Sequence, residues 1–111
     1  MNRKGKVFVK NIYAGIVLED EDGFIFTYDT EYIKKNSQPV SLTLPLKEES
    51  YKSNVLFPFF DGLIPEGWLL EIVEENWKLN ERDRMGLLLA ACRDCIGDVH
   101  IEPADEMTEL L

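Results

Sequence analysis

Histidine is nearly missing from this 111-residue chain: there is one, His100. Without a second imidazole, a Ser–His–Asp or Cys–His constellation would have to use His100, flanked by Val99 and Ile101 in a strand-like run. Cysteine is scarce as well. Cys92 and Cys95 form a single C-x-x-C, two ligands short of a structural zinc site. They also fall at the end of a helical pattern rather than its start, where the dipole would not lower a thiol pKa. Two reduced structural thiols are expected, with no metal and no cofactor. The glycines never cluster into a phosphate cradle, Gly62, Gly67 and Gly97 being isolated. No run approaches the ~20 apolar residues that span a bilayer, and the basic start Arg3-Lys4-Gly5-Lys6 is not followed by a signal-peptide apolar stretch. The expectation is a cytoplasmic protein with a solvated N-terminus and no membrane contact.

Positive charge is the other shortage. Twelve basic against twenty-one acidic residues leave a net charge of −9. Affinity for nucleic acid comes largely from Lys and Arg displacing counterions, so direct DNA or RNA binding is not expected. Paired carboxylates such as Asp20/Asp22 or Glu74/Glu75 carry no specificity in so acidic a chain. Nothing assembles an active site.

What is present is enough for one domain with a core: 45 % of residues are hydrophobic. The first third reads as strands. Val7 to Lys10 and Ile12 to Leu18 are β-branched and aromatic, and Asp22-Gly23 is a hairpin signal. Phe24, Phe26 and Tyr28 then share one face of a third strand, with Ile25 and Thr27 on the other. Asp29 to Lys35 predicts one short helical turn. Val40 to Leu46 alternates again, but Pro45 confines it to an edge strand or an extended connection. Glu48 to Asn54 reads as a polar loop.

Phe57 to Trp68 is too apolar for a solvated loop and too broken by proline and glycine for one helix. Leu69, Ile72, Val73 and Trp77 recur at helical spacing, which makes Trp77 a core residue. A second helix is predicted from Asn80 as N-cap, with a stripe of Met85, Leu88, Leu89 and Cys92. Val99 to Ile101 can add a strand and Pro103 stops it. The fold expected is α+β, a small antiparallel β-meander with C-terminal helices packed on it. It forms a single domain with an ordered core over about 7–102 and an acidic tail over 103–111.

Three stretches are more specific: Ser41-Leu42-Thr43-Leu44-Pro45-Leu46, Phe59-Phe60-Asp61-Gly62-Leu63-Ile64-Pro65-Glu66-Gly67, and Cys95-Ile96-Gly97-Asp98-Val99. In order and spacing they resemble the N-terminal subdomain of HipA-type serine/threonine kinase toxins, over about Val7 to Ile101. Asp98 departs from the alanine common at that position. The resemblance does not extend to the kinase core: no ATP-binding loop, catalytic Asp with downstream Asn, or Mg²⁺-binding Asp motif is present. Kinase activity is therefore not implied. What is implied is the split arrangement in which a short separate protein (HipS) supplies this subdomain to a kinase toxin (HipT) and neutralises it. A HipB-type helix-turn-helix partner handles operator DNA there, and the pathway is phosphorylation of aminoacyl-tRNA synthetases.

The implied activity is docking without catalysis. The alternatives are a detached regulatory N-terminal fragment of a full-length HipA-type kinase, or an adaptor for another enzyme. A docking surface needs anchors the core does not consume. Trp68 falls roughly 115° off the core stripe, toward Glu71 and Glu75. The partner-binding residues expected are accordingly Asp61, Gly62, Pro65, Glu66, Trp68 and Glu71.

Overall fold

A computed structural model describes residues 3–35, 38–64, 83–91 and 98–104. Five strands among them form one sheet. β1 (Arg3–Val9), β2 (Ile12–Asp20) and β3 (Gly23–Tyr28) are the expected meander. β4 (Tyr51–Ser53) and β5 (Val99–Pro103) add to its two sides, giving the order β4-β3-β2-β1-β5 with every pairing antiparallel. Three helices are described: α1 (Thr30–Lys35), α2 (Pro58–Asp61) and α3 (Arg84–Ala91). This is the α+β architecture expected. No helix among the described residues is long and apolar enough to cross a membrane.

The hairpins follow from local chemistry. Between β1 and β2, Lys10 and Asn11 sit at φ 50° and 68° and join the paired residues Val9 and Ile12. Positive φ at both central residues is what a two-residue type I′ turn needs to match the strand twist. Between β2 and β3, the Asp20 carboxylate accepts hydrogen bonds from the backbone N–H groups of Asp22 (2.8 Å) and Gly23 (3.0 Å). Gly23 has φ +143°, and a Cβ there would lie 2.3 Å from the Ser53 carbonyl oxygen. Only glycine lets β3 start so close to β4.

Alternation sorts the side chains. Val7, Val17, Phe26 and Ile101 are fully buried on one face, where Phe26 meets Phe60 of α2 edge-on at 5.3 Å. Met85, Leu87 and Leu88 of α3 close the same core. Gly5 permits that approach, since a Cβ would meet Leu89 Cδ2 at 2.8 Å and Ile101 Cγ2 at 2.7 Å. The β1–β2 register shifts between Val7 and Phe8 of β1, leaving Ala14 of β2 as an extra residue. Its carbonyl accepts from Asp29 N–H at 2.8 Å and so seats the start of α1.

Four expectations need correction. β1 begins at Arg3, not Val7, so the basic start is a paired strand rather than a solvated terminus. Val40 to Leu46 contributes nothing to the sheet. Ser41 to Leu44 is a turn closed by Leu44 N–H to Ser41 C=O at 3.0 Å, which expels Leu42 (94 % exposed) while Val40 and Leu44 stay buried. The fourth strand comes instead from the stretch read as a polar loop, Tyr51–Ser53, paired with Phe24–Phe26. The described part of the last helix starts at Arg84 rather than after Asn80. Its first intrahelical bond runs from Leu87 N–H to Asp83 C=O at 3.0 Å, and the Asp83 carboxylate accepts from Gly86 N–H at 3.2 Å. Asp83 is therefore the cap. Asn80, the helix expected over Leu69 to Trp77, and the Cys92/Cys95 pair lie outside the described residues.

Candidate functional site

Pro58 fixes the first turn of α2, where its missing N–H costs nothing. Phe60 is fully buried, and its ring meets those of Phe57 at 6.1 Å and Phe59 at 5.4 Å as well as Phe26. The aromatic run that looked too apolar for a loop is thus an anchor in the core. The chain then turns outward. Gly62 N–H bonds the Pro58 carbonyl at 2.9 Å and is exposed, while Leu63 and Ile64 continue the turn with N–H bonds to Phe60 and Asp61. Ile64 is buried again.

Asp61 does not project alone. Its Oδ1 accepts from Arg84 Nε at 2.6 Å, and the carboxylate stays 42 % exposed. Arg84 opens α3, so this pair ties the α2 turn to the head of the helix. The residue before it extends the network. Arg3 Nη1 and Nη2 donate to the two Asp83 oxygens at 2.9 and 2.7 Å, while Arg3 Nε donates to Glu19 at 2.7 Å. Such fork-to-fork geometry fixes direction as well as charge. The Arg3 hydrogen bond is the largest cause holding the Asp83 carboxyl below its ordinary value, against the opposing effect of partial burial. The Arg3 guanidinium is pushed higher still, first by its hydrogen bond to Asp83. Strand β1, the head of α3 and the end of α2 are thereby tied together by Arg3, Asp83, Arg84 and Asp61.

The Ser41–Leu44 turn is held from the sheet. Tyr28 Oη donates to the Leu44 carbonyl and accepts from Val40 N–H at 2.9 Å. Burial pushes its hydroxyl pKa up to about 12. Tyr51 Oη donates to the Pro45 carbonyl, and Lys47 Nζ lies 4.1 Å above the Tyr51 ring. The serine–leucine–proline stretch is therefore an ordered loop whose shape two tyrosines enforce.

Of the six expected partner residues, the structure places Asp61 and Gly62 side by side at the end of α2. Pro65, Glu66, Trp68 and Glu71, with Trp77, lie outside the described residues. Sequence reasoning missed Arg3, Asp83 and Arg84. The available signal was weak: Arg3 reads as one charge of a basic start, and Asp83 and Arg84 are two more charges in a polar stretch ahead of the helical stripe. His100 is where it was expected, in a strand, 18 % exposed at its side chain. It stacks on Phe8 with ring centroids 4.7 Å apart, its Nε2 lying 3.1 Å from Glu102 Oε2.

Comparison with known proteins agrees with this architecture. A solved structure described as the N-terminal domain of HipA toxin matches with a TM-score of 0.71 and 30 % identity, covering 94 % of this chain and 94 % of that one. A Haemophilus influenzae protein (strain ATCC 51907 / DSM 11121 / KW20 / Rd), described as "Uncharacterized protein", is 35 % identical over 100 residues, spanning 90 % of this chain and 92 % of the relative. The family model for the HipA N-terminal domain matches residues 5–102. The chain belongs to the HipA N-terminal domain family.

Proposed function

We infer that the chain is a non-catalytic binding subunit that docks on a HipA/HipT-type serine/threonine kinase and restrains it, as an antitoxin does. The observation that carries this is the α2 turn. The chain turns outward at the exposed Gly62, and the Asp61–Arg84 ion pair braces that turn against the head of α3. A braced turn loses little conformational freedom on binding, which favours Asp61 and Gly62 as part of a contact surface. Phosphoryl transfer then belongs to the partner, and DNA contact to a HipB-type protein in the same complex. A cytoplasmic location goes with that reading.

Trp68 is the anchor in this proposal, with Asp61, Gly62, Pro65, Glu66 and Glu71 around it. Truncating a buried interface tryptophan typically costs ~2 kcal/mol or more, over an order of magnitude in affinity. Trp68→Ala is expected to melt like the parent, yet co-purify poorly with the kinase and lose most of its protection of growth. Trp77→Ala is expected to lose ~3–5 kcal/mol of stability as a core cavity. Full protection by Trp68→Ala, or a melting loss like that of Trp77→Ala, removes the anchor.

The matched structure is a domain of the toxin, which favours a second reading in which this domain regulates a kinase in cis. The mass of the native protein detected in cells separates the two.

A further inference from the structure

The face of the sheet turned away from α3 has an aliphatic centre with lysines on both sides of it, and Asp20 and Glu102 stand at its margins. The pairing registers line it up in rows: Lys4 is opposite Leu18, Leu18 opposite Ile25, and Ile25 opposite Lys52. In the next row Lys6 is opposite Ile16. The described helices bury their apolar side chains on the other face, through Tyr32 of α1, Phe60 of α2 and Leu88 of α3. Ile16, Leu18 and Ile25 are left half-buried. In a chain with almost twice as many acids as bases, none of Lys4, Lys6 and Lys52 makes an ion pair among the described residues. Glu102 is opposite Lys6, yet its carboxylate is directed at His100.

Lys4 and Lys52 stand three strand spacings apart, about 14 Å at the usual ~4.8 Å per strand. Between them lies an aliphatic floor. An α-helix with its side chains is about 10–12 Å across, so one helix laid along the strands fits between the two lysine edges. Its apolar stripe would rest on Leu18 and Ile25, and carboxylates on its two flanks would meet Lys4 and Lys6 on one side and Lys52 on the other. An apolar centre with a charged rim is the usual anatomy of a protein interface. We propose that this face is a docking surface for an acidic amphipathic helix of a second protein. A second copy of the same face is a poor occupant, because lysine would oppose lysine. The surface is on the other side of the sheet from α2, and the proposal stands whether or not the α2 loop meets a kinase.

The test titrates a helical peptide of roughly five turns, with a leucine stripe and glutamates on both flanks, into the isotope-labelled full chain. The amide spectrum is followed. Saturable shifts at Ile16, Leu18, Ile25 and Lys52 are expected, with no response to the same peptide carrying lysines on its flanks. Lys4→Glu/Lys52→Glu is expected to weaken binding about tenfold or more through charge reversal. Lys4→Gln/Lys52→Gln should give a smaller loss with unchanged melting, which separates charge from folding. Equal binding of both peptides, shifts confined to other residues, or parental affinity in the charge-reversed variant overturns the proposal. So does either rival occupant. One is the chain's own acidic segment, shown if Asp105→Asn/Glu106→Gln/Glu109→Gln moves the same resonances without peptide. The other is a second copy, shown by a sedimenting dimer that Leu18→Asp dissolves.

Discussion

The β1–β3 meander and the segment from 38 to 64 are both ordered, but by different means. The meander is held by backbone ladders between strands adjacent in sequence, with turns of two residues. The 38–64 segment has one three-residue strand and one four-residue helix. It is kept in place by side chains that reach it or leave it: Tyr28 to Val40 and Leu44, Tyr51 to Pro45, Phe60 into the core, and Asp61 to Arg84. A ladder distributes its stability over many bonds, whereas a clamp concentrates it in a few atoms. Point substitutions should therefore be felt more sharply in the second region, which holds the first of the three resemblance-bearing stretches and the start of the second.

The severest break expected is Phe60→Ala. The side chain is fully buried under three other aromatic rings, so the cavity should cost about 3–5 kcal/mol. Chemical denaturation measures it. A loss below 1 kcal/mol would mean that the segment is not built on this anchor.

Tyr28→Phe removes one oxygen and leaves a buried N–H and a buried carbonyl without their partner, at a cost of about 1–3 kcal/mol. Hydrogen exchange should rise at Val40 and Leu44 while the β1–β2 amides keep their protection. The same hydroxyl sets a pH response. Its pKa is raised from 10.0 to about 12 in the folded state, so its contribution is intact below about 10 and lost as pH rises through about 12. Tyr28→Phe should flatten that part of the alkaline unfolding curve, and an unchanged curve would count against the clamp.

Asp83→Asn keeps a capping oxygen but removes the charge that Arg3 grips. Both side chains are about one-third exposed, which limits the expected loss to about 0.5–1 kcal/mol at neutral pH. The Asp83 carboxyl is depressed, so its contribution is present above the ordinary value of 3.8 and disappears as pH falls through the lower folded value. The variant and the parent should converge in stability in strong acid, as thermal melts at several pH values would show.

Leu42→Ser is expected to be the mildest, within about 0.5 kcal/mol of the parent, because Leu42 is 94 % exposed at the tip of its turn. A large melting shift from this change would mean that the turn is organised by Leu42 rather than by Tyr28.

The meander was legible in the residues themselves. Period-two alternation in Phe24, Phe26 and Tyr28 and the Asp22-Gly23 signal are local, and strands adjacent in sequence need no other information to pair. So was the composition of the core-directed helix α3, although its stripe omitted Leu87, which is as fully buried as Met85 and Leu88. The family resemblance was legible in three short motifs. Of the candidate site, the sequence picked out Asp61 and Gly62 but not the brace behind them.

Tertiary structure decided the rest because the deciding contacts are long-range. Tyr51-Lys52-Ser53 carries no strand signal of its own; it becomes β4 because the Phe24–Phe26 edge of β3 offers it a ladder. Leu42 fits an alternating pattern, yet Tyr28 pins Val40 and Leu44 inward and the turn between them throws it out. Arg3 and Asp83 are eighty residues apart in the chain and joined by two hydrogen bonds in the fold. No pattern within a window of one helix or strand can register such a pair. The amino-acid order by itself determined where the backbone could alternate and turn, while the packed fold determined which charges meet and which loops they hold.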